Sequence, residues 1–301
     1  MLDLGIVIVN WNTRDLLRDC LKSIAASEGD FTRRVIVVDN ASTDGSADMV
    51  RRESPDVDVI ASATNDGFSI ANNKGLRALG FEQGCSDDVP RYALVLNPDT
   101  VLPPDALRDM LAYMDADESI GAAGPKLVML DGQLDLACRR SFPTPEISFY
   151  RMIGLSKLFP RSRRFGRYNM TYLDPDVETE VDSVVGAFML VRRDAIRHVG
   201  LFDETFFMYG EDLDWAYRIK QAGWKVMYNP RVTVTHVKRA ASRQSRRAQH
   251  EFYRAMLIFY RKHYRATTPW WLHSLILLGL AVRGGRPLWR DLWHPTPAAS
   301  S

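Results

Sequence analysis

The chain of 301 residues is 46% hydrophobic and 25% charged, and it contains three cysteines. This composition excludes a disordered chain, a collagen-like repeat and a small protein held together by disulfides. The formal net charge is +2, but residues 1–138 carry a charge of −11 and residues 139–301 a charge of +13. The acidic first half and the basic second half suggest two roles, with the basic half facing an anionic partner.

The cysteines and the N-terminus together indicate a cytoplasmic protein. The three cysteines are far apart in sequence, and no pair has the spacing of metal ligands, which favours a reducing compartment. The first twelve residues have no basic segment and no cleavage-like site, so we predict a buried first strand there rather than a signal peptide.

Short apolar segments alternate with helical patterns over the first 130 residues. We predict strands over residues 4–9, 35–38, 57–61 and 92–96. Helices are predicted after Thr13, near residues 47–52, over residues 68–80 and after Pro103-Pro104-Asp105. This alternation is typical of an α/β fold with a mainly parallel central sheet flanked by helices.

The second half is less regular. Residues 139–181 mix arginine, aromatic residues and proline, which predicts loops with short helices. We predict a strand over 184–191, a helix over 211–222, strands over 224–228 and 232–235, and a basic, helical C-terminal extension. The apolar run after Pro269 has about 13 residues, too few for a membrane span of about 20. An interfacial membrane helix and a helix packed on the core or at a dimer interface both stay open.

Polar side chains follow three of the predicted strands, as Asn10-Trp11, Asp39-Asn40 and Asn97-Pro98-Asp99. Ligands of parallel α/β sheets bind at the carboxyl ends of strands, so we expect these side chains to form one site. No glycine-rich GxGxxG pattern follows the first strand, and no GxxxxGK[ST] pattern occurs in the chain. Their absence argues against a Rossmann dinucleotide site and a P-loop NTPase.

Two adjacent acids, Glu211 and Asp212, open a predicted helix, and His236 comes 24 residues after Asp212. One acid of such a pair can act as a general base while the other is held structurally, and a helix N-terminus favours the ionised form. A carboxylate and an imidazole on separate strand ends can share a divalent cation. Mg²⁺ or Mn²⁺ suits an oxygen-rich site that also binds a diphosphate.

The chain resembles the family 2 glycosyltransferases of the GT-A fold, and more narrowly their bacterial rhamnosyltransferase-like members. The matching stretches are VIVNWNTRDLLRDCLKSI, VIVVDNASTDGS, NDGFSIANNKGL, LVLNPDT, VVGAFMLVRRDAI, GLFDETFFMYGEDLDWAYRIKQAGWKV and THVKRAASRQ. Their order and spacing carry the resemblance over about residues 4–242. It implies a GT-A domain over 1–240, with a nucleotide-binding half (1–130) and an acceptor and catalytic half (131–240), followed by the extension over 241–301.

The resemblance also implies roles for individual residues. Those assigned to the nucleotide are Val9, Asn10, Trp11, Asp39, Asn65, Gly67, Asn73 and Asn97. Among them, Asp39 would accept a hydrogen bond from the base and select uracil or thymine. Asp99 and His236 would bind the metal or the diphosphate, and Asp212, beside Glu211, would be the catalytic base. Asn97 departs from the acid common at its position in the family, which leaves open whether the cation is essential.

The implied function is transfer of a sugar with inversion, rhamnose from dTDP-rhamnose, to a glycan or polyprenyl-diphosphate-linked acceptor in cell-surface polysaccharide assembly. A UDP-sugar donor and a non-catalytic protein that binds a nucleotide or a membrane are the alternatives. A nucleotidyltransferase would need a basic, glycine-rich loop where this chain has Asn10-Trp11-Asn12-Thr13. Nucleic acid is not an expected partner, because the basic half has no known nucleic-acid-binding motif. We expect a location at the inner face of the cell membrane, and a homodimer stays open.

Overall fold

The computed structural model describes residues 2–237 and 246–293. Within them, nine strands form one mixed sheet with the order β3-β2-β1-β4-β8-β6-β9-β5, and β7 pairs with β9 outside this path. The strands are β1 (Leu4–Asn10), β2 (Arg33–Asp39), β3 (Asp58–Ala61), β4 (Tyr92–Leu96), β5 (Thr100–Val101), β6 (Ile120–Val128), β7 (Thr179–Glu180), β8 (Phe188–Arg192) and β9 (Lys225–His236). The helices are α1 (Arg14–Ala25), α2 (Ser46–Glu53), α3 (Phe68–Ala78), α4 (Ala106–Ala116), α5 (Pro145–Met152), α6 (Leu155–Leu158), α7 (Arg193–Val199), α8 (Glu211–Gln221), α9 (Arg246–His263) and α10 (Trp270–Trp293).

Strands β1 to β4 form the parallel half of the sheet, as predicted. Every residue of β1 and β4 is buried, because the centre of a parallel sheet is covered on both faces by crossover helices. Asn10 and Asp39 end β1 and β2 and are register partners. The polar strand ends therefore lie together at one edge.

The other half of the sheet brings further strand ends to this edge. Strand β8 is antiparallel to both β4 and β6, and β6 is parallel to β9. Strands β4 and β9 therefore run in the same direction, and both reach the same edge with their carboxyl ends. Residue His236, at the end of β9, pairs in register with Thr100 of β5. The site predicted from separate strand ends is thus built across most of the sheet.

Three strands predicted in the second half have different bounds in the structure. The strand predicted over 184–191 begins only at Phe188, because the backbone N–H of Gly186 bonds a side chain rather than a neighbouring strand. The two strands predicted over 224–228 and 232–235 are one strand, β9, with a shift in its register opposite Pro125 and Lys126. Pro230 lies in that shift, where its missing N–H costs no ladder hydrogen bond.

Residues 139–181 contain the predicted short helices α5 and α6, but two of their arginines are not at the surface. Arg139 is 2% exposed and Arg140 is 8% exposed. The guanidinium of Arg139 donates to the backbone carbonyls of Leu173 and Asp174, each at 2.7 Å. This arginine therefore holds the following loop, because a buried guanidinium needs acceptors for its donors.

The predicted extension over 241–301 falls partly outside the described residues, but two of its helices are described. Helix α9 packs on α8 and the segment before it through a cluster that includes Phe206, Leu213 and Phe259. Helix α10 packs on α9 through Leu280 and Leu288 and kinks at Gly285, where φ is +67°. Among the described helices, none is long and apolar enough to cross a membrane.

A buried charge network joins α8 to α9. The carboxylate of Asp214, in α8, is fully buried and lies 2.8 Å from Arg218 Nε, 2.8 Å from Lys262 Nζ and 2.7 Å from His263 Nε2. Burial alone raises the pKa of Asp214, but the His263 hydrogen bond and the two cations outweigh it and hold this pKa well below its usual range.

We expect Asp214→Asn to lower the free energy of unfolding at pH 7 by about 2 kcal/mol or more, because it leaves the facing cations without their buried anion. The folded-state pKa of Asp214 is lowered, so this stability is present above about pH 4 and is lost as the pH falls further. Urea unfolding at pH 7 and at successively lower pH should show the two proteins converging. Asp48→Asn, at an exposed pair in α2, is the matched control; an equal loss there would contradict the assignment.

Candidate active site

The buried carboxylate of Asp39 and the exposed ring of Trp11 lie at the ends of β2 and β1. The Asn10 amide nitrogen donates to Oδ1 of Asp39 at 3.0 Å, and the backbone N–H of Ser42 donates to Oδ2 at 3.0 Å. Asp39 is only 4% exposed, whereas Trp11 is 54% exposed. Each carboxylate oxygen has more than one lone pair, so Asp39 can accept one further hydrogen bond from a ligand. Val9 is buried beside it in β1.

The loop before α3 is tied to β2 by Asn40, a strand-end residue to which the sequence assigned no individual role. Its amide nitrogen donates to Oδ1 of Asn65 at 3.0 Å and to the carbonyl of Gly67 at 3.1 Å. Gly67 has a φ of +87°, and a Cβ there would lie 2.5 Å from the carbonyl oxygen of Phe207, so only glycine fits. Asn65 and Gly67 therefore lie beside the end of β2, and their role beside a nucleotide stays a prediction.

Asn73 is directed elsewhere. Its amide nitrogen donates to the carbonyl of Phe202 and to Glu204 at 2.9 Å, and its carbonyl accepts from the backbone N–H of Phe202 at 3.1 Å. The residue is 1% exposed. In this structure Asn73 joins α3 to the segment before α8, and its role beside a nucleotide stays a prediction.

A carboxylate–imidazole–carboxylate row lies where β5 meets β9. His236 Nδ1 is 2.9 Å from Asp135 Oδ2, and His236 Nε2 is 3.2 Å from Asp99 Oδ1. The ring is 4% exposed as a side chain, while Asp99 is 20% exposed. Burial lowers the pKa of His236, but the hydrogen bonds and charges of Asp135 and Asp99 outweigh it, and the net shift is upward.

These groups fit a divalent cation in one respect. Within the described residues, the buried Nε2 of His236 makes no well-formed hydrogen bond, although it faces an oxygen of Asp99. When Nδ1–H donates its hydrogen bond to Asp135, Nε2 carries a lone pair that faces the carboxylate of Asp99. These two electron-rich groups need a proton or a cation between them. No group of three or more potential ligands is present in the described part of the chain. Mg²⁺ and Mn²⁺ commonly take one or two protein ligands and complete their shell with water and phosphate.

Asn97 precedes this row at the end of β4. Its backbone N–H donates to the carbonyl of Ala187 at 3.0 Å, and its carbonyl accepts from the hydroxyl of Thr100 at 2.8 Å. The main chain of Asn97 is thus held on both sides, and its partly exposed side chain has no hydrogen bond to another described residue. Its amide is neutral, so Asp99 supplies the only negative charge of the Asn-Pro-Asp segment.

The carboxylate of Asp212 is held by three donors at the start of α8. Oδ2 accepts from Arg140 Nη2 at 2.7 Å and from the backbone N–H of Gly186 at 3.0 Å, and Oδ1 accepts from the backbone N–H of Leu213 at 2.8 Å. Asp212 is 5% exposed. A carboxylate so oriented cannot rotate freely, as positioning of a general base requires.

Glu211 has a different environment from its neighbour. It is 6% exposed, and its Oε2 is buried without a hydrogen-bond partner among the described residues. Burial raises the pKa of Glu211, and the nearby charge of Asp212 raises it further. Glu211 therefore holds its proton more readily than an ordinary glutamate does.

The segment Gly186-Ala187 brings the two parts of the site together. Gly186 bonds Asp212, and the next residue bonds the backbone of Asn97. A Cβ at Gly186 would lie 3.7 Å from the Cβ of Asp212, so the two residues are in direct contact. Asp212 of α8 is therefore linked through Gly186-Ala187 to Asn97 of the Asn-Pro-Asp segment.

Sequence reasoning missed Asp135 and Arg140 as members of the site. Arg140 lies 72 residues before Asp212, and Asp135 lies 101 residues before His236. Both belong to the irregular region after β6, where no periodicity indicates which side chains turn inward. The only local signal was the pair Arg139-Arg140 among apolar residues.

An open groove lies beside the start of α8. Its walls come from α5, α8 and α9 and include Ser148, Arg151, Tyr209, Phe252 and Met256. Tyr209 and Gly210, just before α8, both have positive φ values, of 70° and 79°. Tyr209 and Gly210 both line the groove, together with Leu213 of α8.

Similar proteins agree with this arrangement. The chain is 31% identical over 206 residues to the N-acetylglucosaminyl-diphospho-decaprenol L-rhamnosyltransferase of Mycobacterium tuberculosis, a match that covers 68% of this chain and 66% of that relative. This chain thus spans slightly less than two thirds of the length of that relative. It is 28% identical to the rhamnosyltransferase WbbL of Escherichia coli, over 77% of this chain and 82% of that relative.

A solved structure shares the fold. The mannosyltransferase PcManGT of Pyrobaculum calidifontis, in complex with GDP-Man and Mn²⁺, superposes with a TM-score of 0.58 at 16% identity, over 99% of this chain and 76% of that chain. This likeness confirms the predicted GT-A fold. The family model described as "Glycosyltransferase like family 2" matches residues 3–251, most of the chain and all the site residues named above. The chain belongs to this glycosyltransferase family 2.

Proposed function

We propose that the protein is an inverting glycosyltransferase that moves rhamnose from dTDP-rhamnose to a glycan or polyprenyl-diphosphate-linked acceptor in cell-surface polysaccharide assembly. The observation that carries the proposal is the placement of Asp212, through Gly186-Ala187, beside the Asn-Pro-Asp segment. The names of the mycobacterial and E. coli relatives support rhamnose and, for the first, a lipid diphosphate acceptor. The proposed place of action is the inner face of the cell membrane.

The donor nucleotide is assigned to the ends of β1 and β2. Trp11 covers the base, Val9 and Asn10 line its pocket, and Asp39 accepts a hydrogen bond from the N–H of a uracil or thymine ring. The ring N3 of cytosine has no proton to donate, so a carboxylate fixed at that position favours uracil or thymine over cytosine. Asn65, Gly67, Asn73 and Asn97 complete the nucleotide site in this assignment.

The diphosphate is assigned to the row at β5 and β9. Asp99 and His236 would hold a divalent cation, Mn²⁺ or Mg²⁺, with Asp135 orienting the imidazole from behind. Such a cation would supply charge stabilisation for the departing nucleoside diphosphate. The solved neighbour from Pyrobaculum binds Mn²⁺ together with its own sugar nucleotide, which supports this assignment.

Asp212 is the proposed general base. It would remove the proton from the acceptor hydroxyl as that oxygen attacks the anomeric carbon, and the bond to the diphosphate would break on the opposite side. Arg140, Gly186 and the start of α8 hold the carboxylate in one orientation. Glu211, with its raised pKa, keeps a proton more readily and is the structural partner.

A donor screen tests the proposal. We expect dTDP or UDP with Mn²⁺ or Mg²⁺ to raise the thermal unfolding temperature, because saturation at about 100 times Kd stabilises by about 2.7 kcal/mol. Transfer of rhamnose from dTDP-rhamnose to an N-acetylglucosaminyl-diphospho-lipid then tests the reaction itself. Stabilisation by GDP alone would contradict the role of Asp39, and binding without transfer to any acceptor would favour a non-catalytic protein. Transfer from a UDP-sugar alone would replace rhamnose with that alternative.

A further inference from the structure

Exposed apolar side chains are concentrated in two segments of the described chain. Eleven of the sixteen large apolar side chains that are exposed lie within residues 149–159 and 270–289. They are Phe149, Met152, Ile153, Leu158, Phe159, Trp270, Trp271, Leu275, Leu278, Val282 and Trp289. Scattered exposed apolar residues are ordinary, but a concentration of this kind marks an interaction site.

Helix α10 presents a narrow apolar face to the outside. Trp271, Leu275, Leu278 and Val282 follow one another at intervals of four, three and four residues, which places them on one face of an α-helix. Each is more than half exposed. Leu280 is buried against α9 on the opposite side. The helix is therefore apolar on two faces, and only one of them is covered.

The segment over α5 and α6 continues this face. Arg283 of α10 donates to the backbone carbonyl of Met152 at 2.9 Å, and a Cβ at Gly279 would lie 3.2 Å from the Met152 side chain. Leu278 and Val282 each precede one of these contact positions by a single residue. Phe149 and Ile153 are each 50% exposed on α5 or next to it. The two segments thus form one surface, which we call the α5–α10 surface.

Positive charge surrounds the α5–α10 surface. Residues 145–167 and 265–290 contain ten lysines and arginines and a single acid, Glu146. All ten basic side chains are exposed, and Glu146 is paired with Arg164 at 3.1 Å. An apolar strip with tryptophans and a basic border is complementary to the headgroup and acyl boundary of an anionic bilayer.

We propose that the α5–α10 surface docks the protein on an anionic phospholipid bilayer, with α10 lying in the plane of the interface and α5–α6 inserted beside it. A second copy of the chain fits this surface less well, because a two-fold interface would bring the two basic borders together. Each basic residue near an anionic surface adds to binding, and the tryptophans favour the interfacial depth.

Docking of this kind gives the candidate active site a defined orientation. On one side α5 carries exposed Phe149, and on another it contributes Ser148 and Arg151 to the groove beside α8. The groove therefore opens next to the bilayer, where a lipid-linked acceptor would lie. This consequence rests on the proposed function, whereas bilayer binding itself does not.

Flotation of the full chain with vesicles tests the proposal. We expect binding to vesicles of equal parts phosphatidylglycerol and phosphatidylcholine and little binding to phosphatidylcholine alone. Leu278→Glu with Val282→Glu, and separately Phe149→Glu with Ile153→Glu, should each weaken binding by at least about tenfold. Each pair removes apolar area that would be buried in the bilayer, and the added carboxylates are repelled by the anionic headgroups. Arg161→Glu with Arg163→Glu should weaken vesicle binding similarly, and the binding that remains should depend less on salt concentration.

Matched variants elsewhere on the chain serve as controls. Leu130→Glu changes an apolar side chain that is 71% exposed and lies outside the surface, and Arg51→Glu with Arg52→Glu reverses two exposed charges of α2; both should bind as the wild type does. Failure of the wild type to bind either vesicle would overturn the proposal. The proposal would also be overturned if the α10 variant lost vesicle binding while the α5 variant bound as the wild type does. A concentration-dependent dimer that the same variants convert to monomers, while their vesicle binding persists, would overturn it too. Donor-dependent thermal stabilisation, measured without vesicles, should be unchanged in every surface variant, which separates this proposal from the proposed function.

Discussion

Asp212→Asn should lower kcat by about 10³-fold while leaving the affinity for the nucleoside diphosphate nearly unchanged. A positioned general base contributes about 10² to 10⁴-fold to a rate, and the amide keeps the size of the side chain while losing the basic oxygen. Binding should persist because Asp212, on α8, is not among the residues assigned to the nucleotide. Initial rates of sugar transfer and a dTDP titration by calorimetry measure the two quantities separately.

Glu211→Gln is the matched control for this substitution. It changes the neighbouring buried acid, whose pKa is raised by burial and by Asp212, and we expect a smaller loss of kcat. Asp212→Asn also leaves the buried Arg140 without its anion, so the folded fraction of each variant is checked by thermal unfolding. If Glu211→Gln abolished turnover and Asp212→Asn did not, the two roles would be exchanged. Equal loss of transfer and of dTDP affinity would contradict the base assignment.

Asp99→Asn should remove the dependence of donor binding on the divalent cation and lower kcat/KM by about a hundredfold or more. Asn97 is neutral, so Asp99 carries the whole negative charge of its segment, and a bound cation stabilises departing phosphate charge by several kcal/mol. The measurement is the thermal shift with dTDP or UDP over a Mn²⁺ titration, together with the transfer rate.

Asp135→Asn is the graded comparison for the row. It leaves both proposed ligands in place and changes only the partner of His236 Nδ1, for which a loss of about ten- to a hundredfold in metal affinity is typical. Metal-dependent stabilisation that persisted in Asp99→Asn would place the cation elsewhere. The Mn²⁺ dependence of donor binding and transfer in the wild type also tests whether a cation is needed when the Asn-Pro-Asp segment has the neutral Asn97.

Local patterns were sufficient for β1 to β4 but not for β6, a strand over Ile120–Val128 that was not predicted. The predicted strand over 92–96 has the bounds of β4, and the predicted carboxyl ends of β1 and β2 are correct to within one residue. Strand β4 and all of β1 before Asn10 are apolar because the centre of the sheet is buried on both faces. The pattern was misleading at 184–191, where an apolar run is interrupted by the bond between Gly186 and Asp212.

The sequence by itself determined the family, the parallel half of the sheet and the polar residues at its strand ends. These follow from short-range regularities, hydrophobic period and turn residues, and from motifs in a recognisable order. Only the tertiary structure decided that Arg140 holds Asp212 and that Asp135 supports His236. It also decided that α5 and α10 share one exposed surface. Those contacts join residues far apart in sequence. A buried arginine or aspartate is costly unless it is paired, and that burial exists only after the chain has folded.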